Sequence, residues 1–299
     1  MFRGLSAFPL TPLDEQRIDE QAFAGLIARL VTAGVDSITA LGSIGVYTYL
    51  TRRERARIAQ LTVDHADDVP VLVGIGALRT KDVLELAEDA QTAGAAGVLL
   101  APVAYHSLTA DEVYGLFETV TGELSVPLVV YDAPGTTGFA FTEDLYGAVG
   151  RLTGVASVKI PGADPDPAAA AQRISRLREV LPEHVTIGVS GDAYGATGLN
   201  AGGDVWYSAL GGTLPAPILE ITRAALSGDT ARAVELDTRL QPLWDLISAH
   251  GSLRVITAIA EHLGLVQRSC LPLPLRGLGD TERAHVAQVI DELGIQAQP

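Results

Sequence analysis

The chain carries 21 basic side chains, yet only two of them, Lys81 and Lys159, are lysines. Lys159 sits near the end of the apolar run Gly154-Val155-Ala156-Ser157-Val158-Lys159-Ile160, where a charge is costly to bury unless it is paired. Desolvation favours the neutral, nucleophilic amine of such a lysine. Bringing an ammonium from about 10.4 to near neutrality takes roughly 4.6 kcal/mol of environmental bias, which demands thorough burial. The same position equally suits a side chain that snorkels from a strand end to solvent. Lys81, in Leu78-Arg79-Thr80-Lys81-Asp82, lies where a loop opens a helix, and a solvated charge is ordinary there.

Two other positions bear on this chemistry. Tyr131 closes the apolar run Val129-Val130-Tyr131 and is followed by Asp132-Ala133-Pro134. A phenol beside a lysine can relay protons, and an amphipathic ring can also simply plug a rim. Gly42-Ser43-Ile44-Gly45 follows a third apolar run, and its glycines permit a tight turn whose N–H groups can hold a carboxylate.

The elements that must position these residues alternate along the chain. Short apolar runs predict strands over 4–8, 37–41, 69–73, 97–101, 127–131, 155–160, 185–189 and 204–210. Runs apolar throughout, such as Leu128-Val129-Val130, suit strands of a parallel sheet buried on both faces. Amphipathic periodicity predicts helices over 19–33, 52–65, 80–93, 110–122, 143–149, 166–180 and 194–200, with Gly34 as a C-cap and Thr109-Ala110-Asp111-Glu112 as a capping box. Eight strands with helices between them point to an α/β fold, a (β/α)₈ TIM barrel, in which the C-terminal strand ends face the active site. A dinucleotide-binding sheet would need a glycine-rich turn after the first strand, where this chain has Pro9-Leu10-Thr11-Pro12. After Pro217 the pattern is wholly helical, over 218–226, 230–250, 253–263 and 281–293. The expected division is a barrel over 1–227 that carries the active site and a C-terminal helical extension over 228–299.

Composition narrows the function. With 36 acidic residues against 21 basic ones, the net charge of −15 repels a phosphate backbone and argues against nucleic-acid binding. The single Cys270 allows no intramolecular disulfide and no thiolate zinc cluster. No stretch reaches the roughly 18 to 20 apolar residues of a membrane span, and the N-terminus leads into a strand without a signal-peptide pattern, so a cytoplasmic protein is expected. The six histidines never form a His-Glu-x-x-His spacing, Gly188-Val189-Ser190-Gly191-Asp192 lacks the final glycine of a nucleophile elbow, and Gly74-Ile75-Gly76 lacks the third glycine of a dinucleotide fingerprint. Neither metal nor cofactor is expected.

Taken together, Gly42-Ser43-Ile44-Gly45 with Leu50-Thr51-Arg52-Arg53-Glu54-Arg55, then Tyr131-Asp132-Ala133-Pro134, then Val158-Lys159 resemble the dihydrodipicolinate synthase / N-acetylneuraminate lyase family of class I (Schiff-base) aldolases. Ser190-Gly191-Asp192 and Ala201-Gly202-Gly203-Asp204 follow in the family's order, and the resemblance runs over nearly the whole chain. It implies that Lys159 forms an imine with pyruvate or a related 2-keto acid, that Tyr131 shuttles protons, and that Ser43 binds the keto-acid carboxylate and joins the relay. The substrate-binding set it implies is Gly42, Ile44, Thr136, Thr137, Tyr105, Gly191 and Tyr207. It also implies a homo-oligomer, a dimer or tetramer.

Departures from the family pattern point away from the lysine-biosynthetic synthase. Ile44 stands where a second hydroxyl is usual, and Val46 where a glutamate is usual. The tyrosine that synthases lend across a subunit interface aligns with Ala104 in Pro102-Val103-Ala104-Tyr105-His106, with Tyr105 and His106 as neighbouring substitutes. The arginine that holds the second substrate's carboxylate aligns with Thr136. The expectation is a paralogue with imine chemistry and a changed second substrate; the alternative is a keto-acid or sugar-acid binding paralogue without turnover. An acidic protein that handles an anionic keto acid must also make its site locally favourable.

Overall fold

In the computed structural model, which describes residues 1–296, short strands and longer helices alternate until the strands meet in a ring. The strands are β1 (Gly4–Ala7), β2 (Ser37–Ala40), β3 (Val71–Gly74), β4 (Gly97–Leu100), β5 (Leu128–Tyr131), β6 (Val155–Ile160), β7 (Thr186–Val189) and β8 (Val205–Ser208). Every neighbour is parallel, and β8 pairs back to β1, so the sheet is a closed (β/α)₈ barrel with no free edge.

Local chemistry sets the helix ends. Asp19 caps Glu20–Ala33 by accepting the Ala22 N–H, and Gly34 ends that helix in the left-handed conformation at φ 73°. Thr51 and Thr109 each form a reciprocal capping box, with Glu54 and Glu112. The helix expected over 230–250 is two helices, Thr230–Arg239 and Gln241–His250. Pro242 is the reason: it has no N–H to bond the carbonyl four residues back, but it fits the first turn of a new helix. The last predicted strand ends at Ser208, and Leu210–Gly212 forms a 3₁₀ turn instead. Pro215 starts the helix after it three residues before the expected position.

Two apolar layers follow from the alternation of side chains along each strand. One lies between the ring and the helices. It contains Leu5, Val98, Val130 and Val158 and continues across residue 227 through Ile218, Leu236, Leu243, Ile259 and Ile290, so the C-terminal helices share it. The other fills the ring with Phe8, Leu72, Leu99, Ala101, Val129, Tyr131, Val205 and Tyr207. Each fully buried Val or Leu contributes roughly 1.5–3 kcal/mol, so the aliphatic members of this inner layer offset the desolvation of one amine. Among the described residues no helix is long and apolar enough to cross a membrane.

The pairing of β5 with β6 bears directly on the site. Leu128 faces Val155, but the next pair is Val129 with Ser157, so the register passes over Ala156. From there Val130 faces Val158 and Tyr131 faces Lys159. Without that one-residue shift, Tyr131 would face Val158.

Candidate active site

Lys159 and Tyr131 lie side by side at the C-terminal end of adjacent strands. Lys159 is only 5% exposed, and its Nζ stands 3.7 Å from the centre of the Tyr131 ring and 5.6 Å from that of Phe8. Gly42 has no side chain because Phe8 occupies its place: a Cβ there would come 2.4 Å from the Phe8 ring. Gly188, opposite Lys159 in β7, makes room in the same way for Tyr207.

Burial pushes the Lys159 amine below the ordinary lysine value, against the opposing influence of Tyr131, Asp192 and Asp132. For Tyr131, burial opposes ionisation, but the Lys159 charge and hydrogen bonds with Ser43 and Lys159 outweigh it, and the phenol falls below its ordinary value. The Tyr131 hydroxyl donates to Ser43 Oγ at 3.5 Å, and Ser43 is exposed at the mouth. The result is a desolvated amine biased toward its nucleophilic form and held against a phenol ring.

Two carboxylates flank the pair. Asp192 Oδ1 accepts from the Ser208 hydroxyl at 2.6 Å, and Oδ2 from the Leu210 N–H at 2.8 Å. Asp132 Oδ2 accepts from the Tyr146 hydroxyl at 2.6 Å, and the Arg173 guanidinium lies 5.8 Å from the Tyr146 ring. Burial raises both carboxyls above the usual range, while their hydrogen bonds and Lys159 pull the other way. Neither aspartate stood among the expected site residues, although each lies inside a motif read from the sequence, directly after Tyr131 and Gly191.

The expected substrate-binding residues divide. Gly42 and Ser43 line the turn at the mouth. Gly191, at φ 76°, passes within 3.2 Å of Gly162 Cα when its missing Cβ is considered, so it keeps two loops in close approach. Ile44 is 4% exposed and its side chain belongs to the core, which leaves its backbone as the part that a ligand can use. The Thr136 and Thr137 hydroxyls both donate to the Ala133 carbonyl at 3.1 Å, within the short helix Pro134–Thr137. Tyr207 is inside the barrel and donates to Ser157 Oγ at 2.8 Å. Tyr105 is 87% exposed and stacks edge-on with His106 at 5.1 Å, away from the inner layer that holds Tyr131. Among the described residues no group of three His, Cys, Asp or Glu side chains is arranged to hold a metal.

Comparison with known sequences covers nearly the whole chain. The sequence model of the dihydrodipicolinate synthetase family matches residues 1–293. The chain belongs to that family. Its members are class I aldolase-type lyases. Among them, the 4-hydroxy-tetrahydrodipicolinate synthase of Phenylobacterium zucineum is 29% identical over 297 residues, 99% of this chain and 98% of its own. That of Oleidesulfovibrio alaskensis is 30% identical over 245 residues, 81% of this chain and 82% of its own. The crystal structure of dihydrodipicolinate synthase from Agrobacterium tumefaciens superimposes with a TM-score of 0.94, at 43% identity, over 98% of each chain.

Proposed function

We propose that the protein is a Schiff-base-forming lyase that acts on pyruvate or a related 2-keto acid through an imine on Lys159. The observation that carries this reading is the buried Lys159 amine held against Tyr131, with its basicity lowered by desolvation. The neutral amine attacks the keto carbon to give a carbinolamine. Tyr131 donates a proton to the departing hydroxyl, water leaves, and the protonated imine acts as an electron sink. Loss of a proton from the adjacent carbon gives an enamine, which attacks a second carbonyl; run in reverse, the same steps cleave a carbon–carbon bond. Ser43 and the N–H groups of its turn receive the keto-acid carboxylate.

The second substrate differs from that of the lysine-pathway synthase. Thr136 spends its hydroxyl on the backbone, Ala104 offers no phenol, and Ile44 and Val46 are sealed in the core. Those same replacements favour the second reading, a keto-acid or sugar-acid binder without turnover. A homo-oligomer, dimer or tetramer, located in the cytoplasm, completes the proposal, supported by the exposed Tyr49, Leu78 and Tyr105 on the loops after β2, β3 and β4.

Borohydride trapping against a panel of 2-keto acids, with the modified peptide sequenced, tests the imine. One adduct at Lys159 is expected, and none with any keto acid sinks the reading. Robust condensation of pyruvate with aspartate semialdehyde would refute the changed second substrate. Trapping without turnover of any aldehyde partner selects the binder.

A further inference from the structure

Inside the barrel a further aromatic ring stands beside Lys159, on the side away from Tyr131. Lys159 of β6 pairs with Gly188 of β7, and a Cβ at Gly188 would stand 2.1 Å from a Tyr207 ring carbon. Paired residues that point to one face of a sheet are side-chain neighbours, so the Tyr207 ring, reaching over from β8, fills the slot next to the Lys159 stem. Phe8 completes the enclosure: its ring meets that of Tyr207 edge-on at 6.1 Å and lies 5.6 Å from the Lys159 Nζ. Tyr207 is 2% exposed and belongs to the inner layer, beneath the mouth.

The hydroxyl of that ring ends on the register shift. Tyr207 crosses β7 where Gly188 leaves it open and donates to Ser157 Oγ on β6 at 2.8 Å. Ser157 donates in turn to the Thr186 carbonyl at 3.2 Å, and the Thr186 hydroxyl donates to the Ala156 carbonyl at 3.4 Å. Side chains thus tie three strands together at Ala156 and Ser157, the two residues where the pairing of β5 with β6 slips. A slipped register gives up regular ladder bonds, and bonds of this kind hold its geometry in their place. Burial raises the Tyr207 phenol above its ordinary value, with Asp204 adding to the effect and Ser157 opposing it, so the hydroxyl stays a neutral donor. A ring that only filled volume would do so as phenylalanine, with no buried polar atom to satisfy.

We propose that Tyr207 is a positioning residue for the imine chemistry: its ring backs the Lys159 stem, and its hydroxyl, through Ser157, holds β6 in the register that sets Lys159 opposite Tyr131. This rests on the reading of Lys159 as the imine-forming amine. Tyr207 acts through Lys159 and β6, and makes no contact with the reacting atoms. Removal of the ring leaves a void beside the stem, and the amine then loses both its direction and its dry surroundings. The charged and titratable groups that face Lys159 remain: Tyr131 from β5, Asp132 directly after it, and Asp192 after β7, all of which favour the ammonium. From β1 and β8 it meets only the Phe8 ring and the neutral Tyr207.

Competitive acetylation with acetic anhydride, followed peptide by peptide across pH, reads the Lys159 amine without substrate, with Lys81 as the internal reference. In Tyr207→Leu the Lys159 transition moves to higher pH, which leaves about tenfold less neutral amine at pH 7. Tyr207→Phe, which keeps the ring, moves it less. A double-mutant cycle on borohydride-trapped pyruvate adduct formation tests the hydroxyl. Tyr207→Phe and Ser157→Ala each slow trapping about tenfold with the half-saturating pyruvate concentration unchanged, and the double variant is no slower than the slower single. An unmoved Lys159 transition in a folded Tyr207→Leu protein overturns the role of the ring. Losses that multiply in the double variant, or wild-type trapping by Tyr207→Phe, overturn the tie through Ser157. Should Tyr207→Leu fail to fold, Tyr207→Phe decides alone: a trapping rate and a Lys159 transition both equal to those of the wild type overturn the proposal. If the wild type traps no pyruvate, the imine reading falls by itself, and the acetylation profiles still decide whether Tyr207 sets the amine.

Discussion

The protein places its two lysines in opposite settings. Lys81 stands on the outer helical face, 69% exposed at its side chain, 3.6 Å from Glu85 one helical turn ahead. Around it, Arg52 joins Glu85 and Asp89 in a network open to water. Lys159 stands at the mouth of the barrel, 5% exposed, against an aromatic wall and between two buried carboxylates. The functional group is the same. Water supplies the counter-environment for one, and fixed protein groups supply it for the other, so only the second can be tuned away from its solution chemistry.

The largest difference between the two regions is removed by Lys159→Met. Trapped adduct is expected to vanish, and persistence of any labelled peptide in that variant would contradict the role of Lys159. The same substitution probes the cost of the buried charge. Because the folded-state pKa of Lys159 lies below its unfolded value of about 10.5, the penalty is present in full below the folded pKa and disappears as pH rises toward 10.5. Lys159→Met is thus expected to raise the thermal midpoint at pH 7, with a gain that shrinks toward pH 10.5; a gain independent of pH would show that the amine is not desolvated. For the wild type, the trapping rate should climb with pH and level off below 10.5.

Tyr131→Phe is the next largest effect. It keeps the ring against Lys159 and removes the proton relay, with a loss of imine formation of about 100-fold or more, read by stopped trapping at pH 7. A loss below a few-fold would assign the relay elsewhere, to water or Ser43. Lys81→Ala is the smallest. An exposed pair one turn apart is worth little, so stability should stay within about 0.5 kcal/mol and trapping should be unchanged. A loss of trapping there would erase the contrast between the two regions.

The barrel was legible because parallel strands buried on both faces read as unbroken apolar runs, and six-residue β6 matches its predicted span residue for residue. Lys159 and Tyr131 were legible for a related reason: polar groups that end such runs stand out. Asp132 and Asp192 did not, since a chain with 36 acidic residues offers no contrast and only tertiary packing buries these two. Thr136 and Thr137 look like ligand donors in a string of letters, but a four-residue helix consumes both hydroxyls. The break before Pro242 was readable in principle, from the proline itself.

A barrel strand has a phase, and the Lys159 amine is in phase with the Tyr131 phenol because the register passes over the extra residue of β6 at Ala156. Point substitutions in the loops leave that phase untouched, so descendants of this chain are free to exchange second substrates while retaining the same first step. Loss of the register shift would do the reverse, because Tyr131 would then face Val158 in place of Lys159.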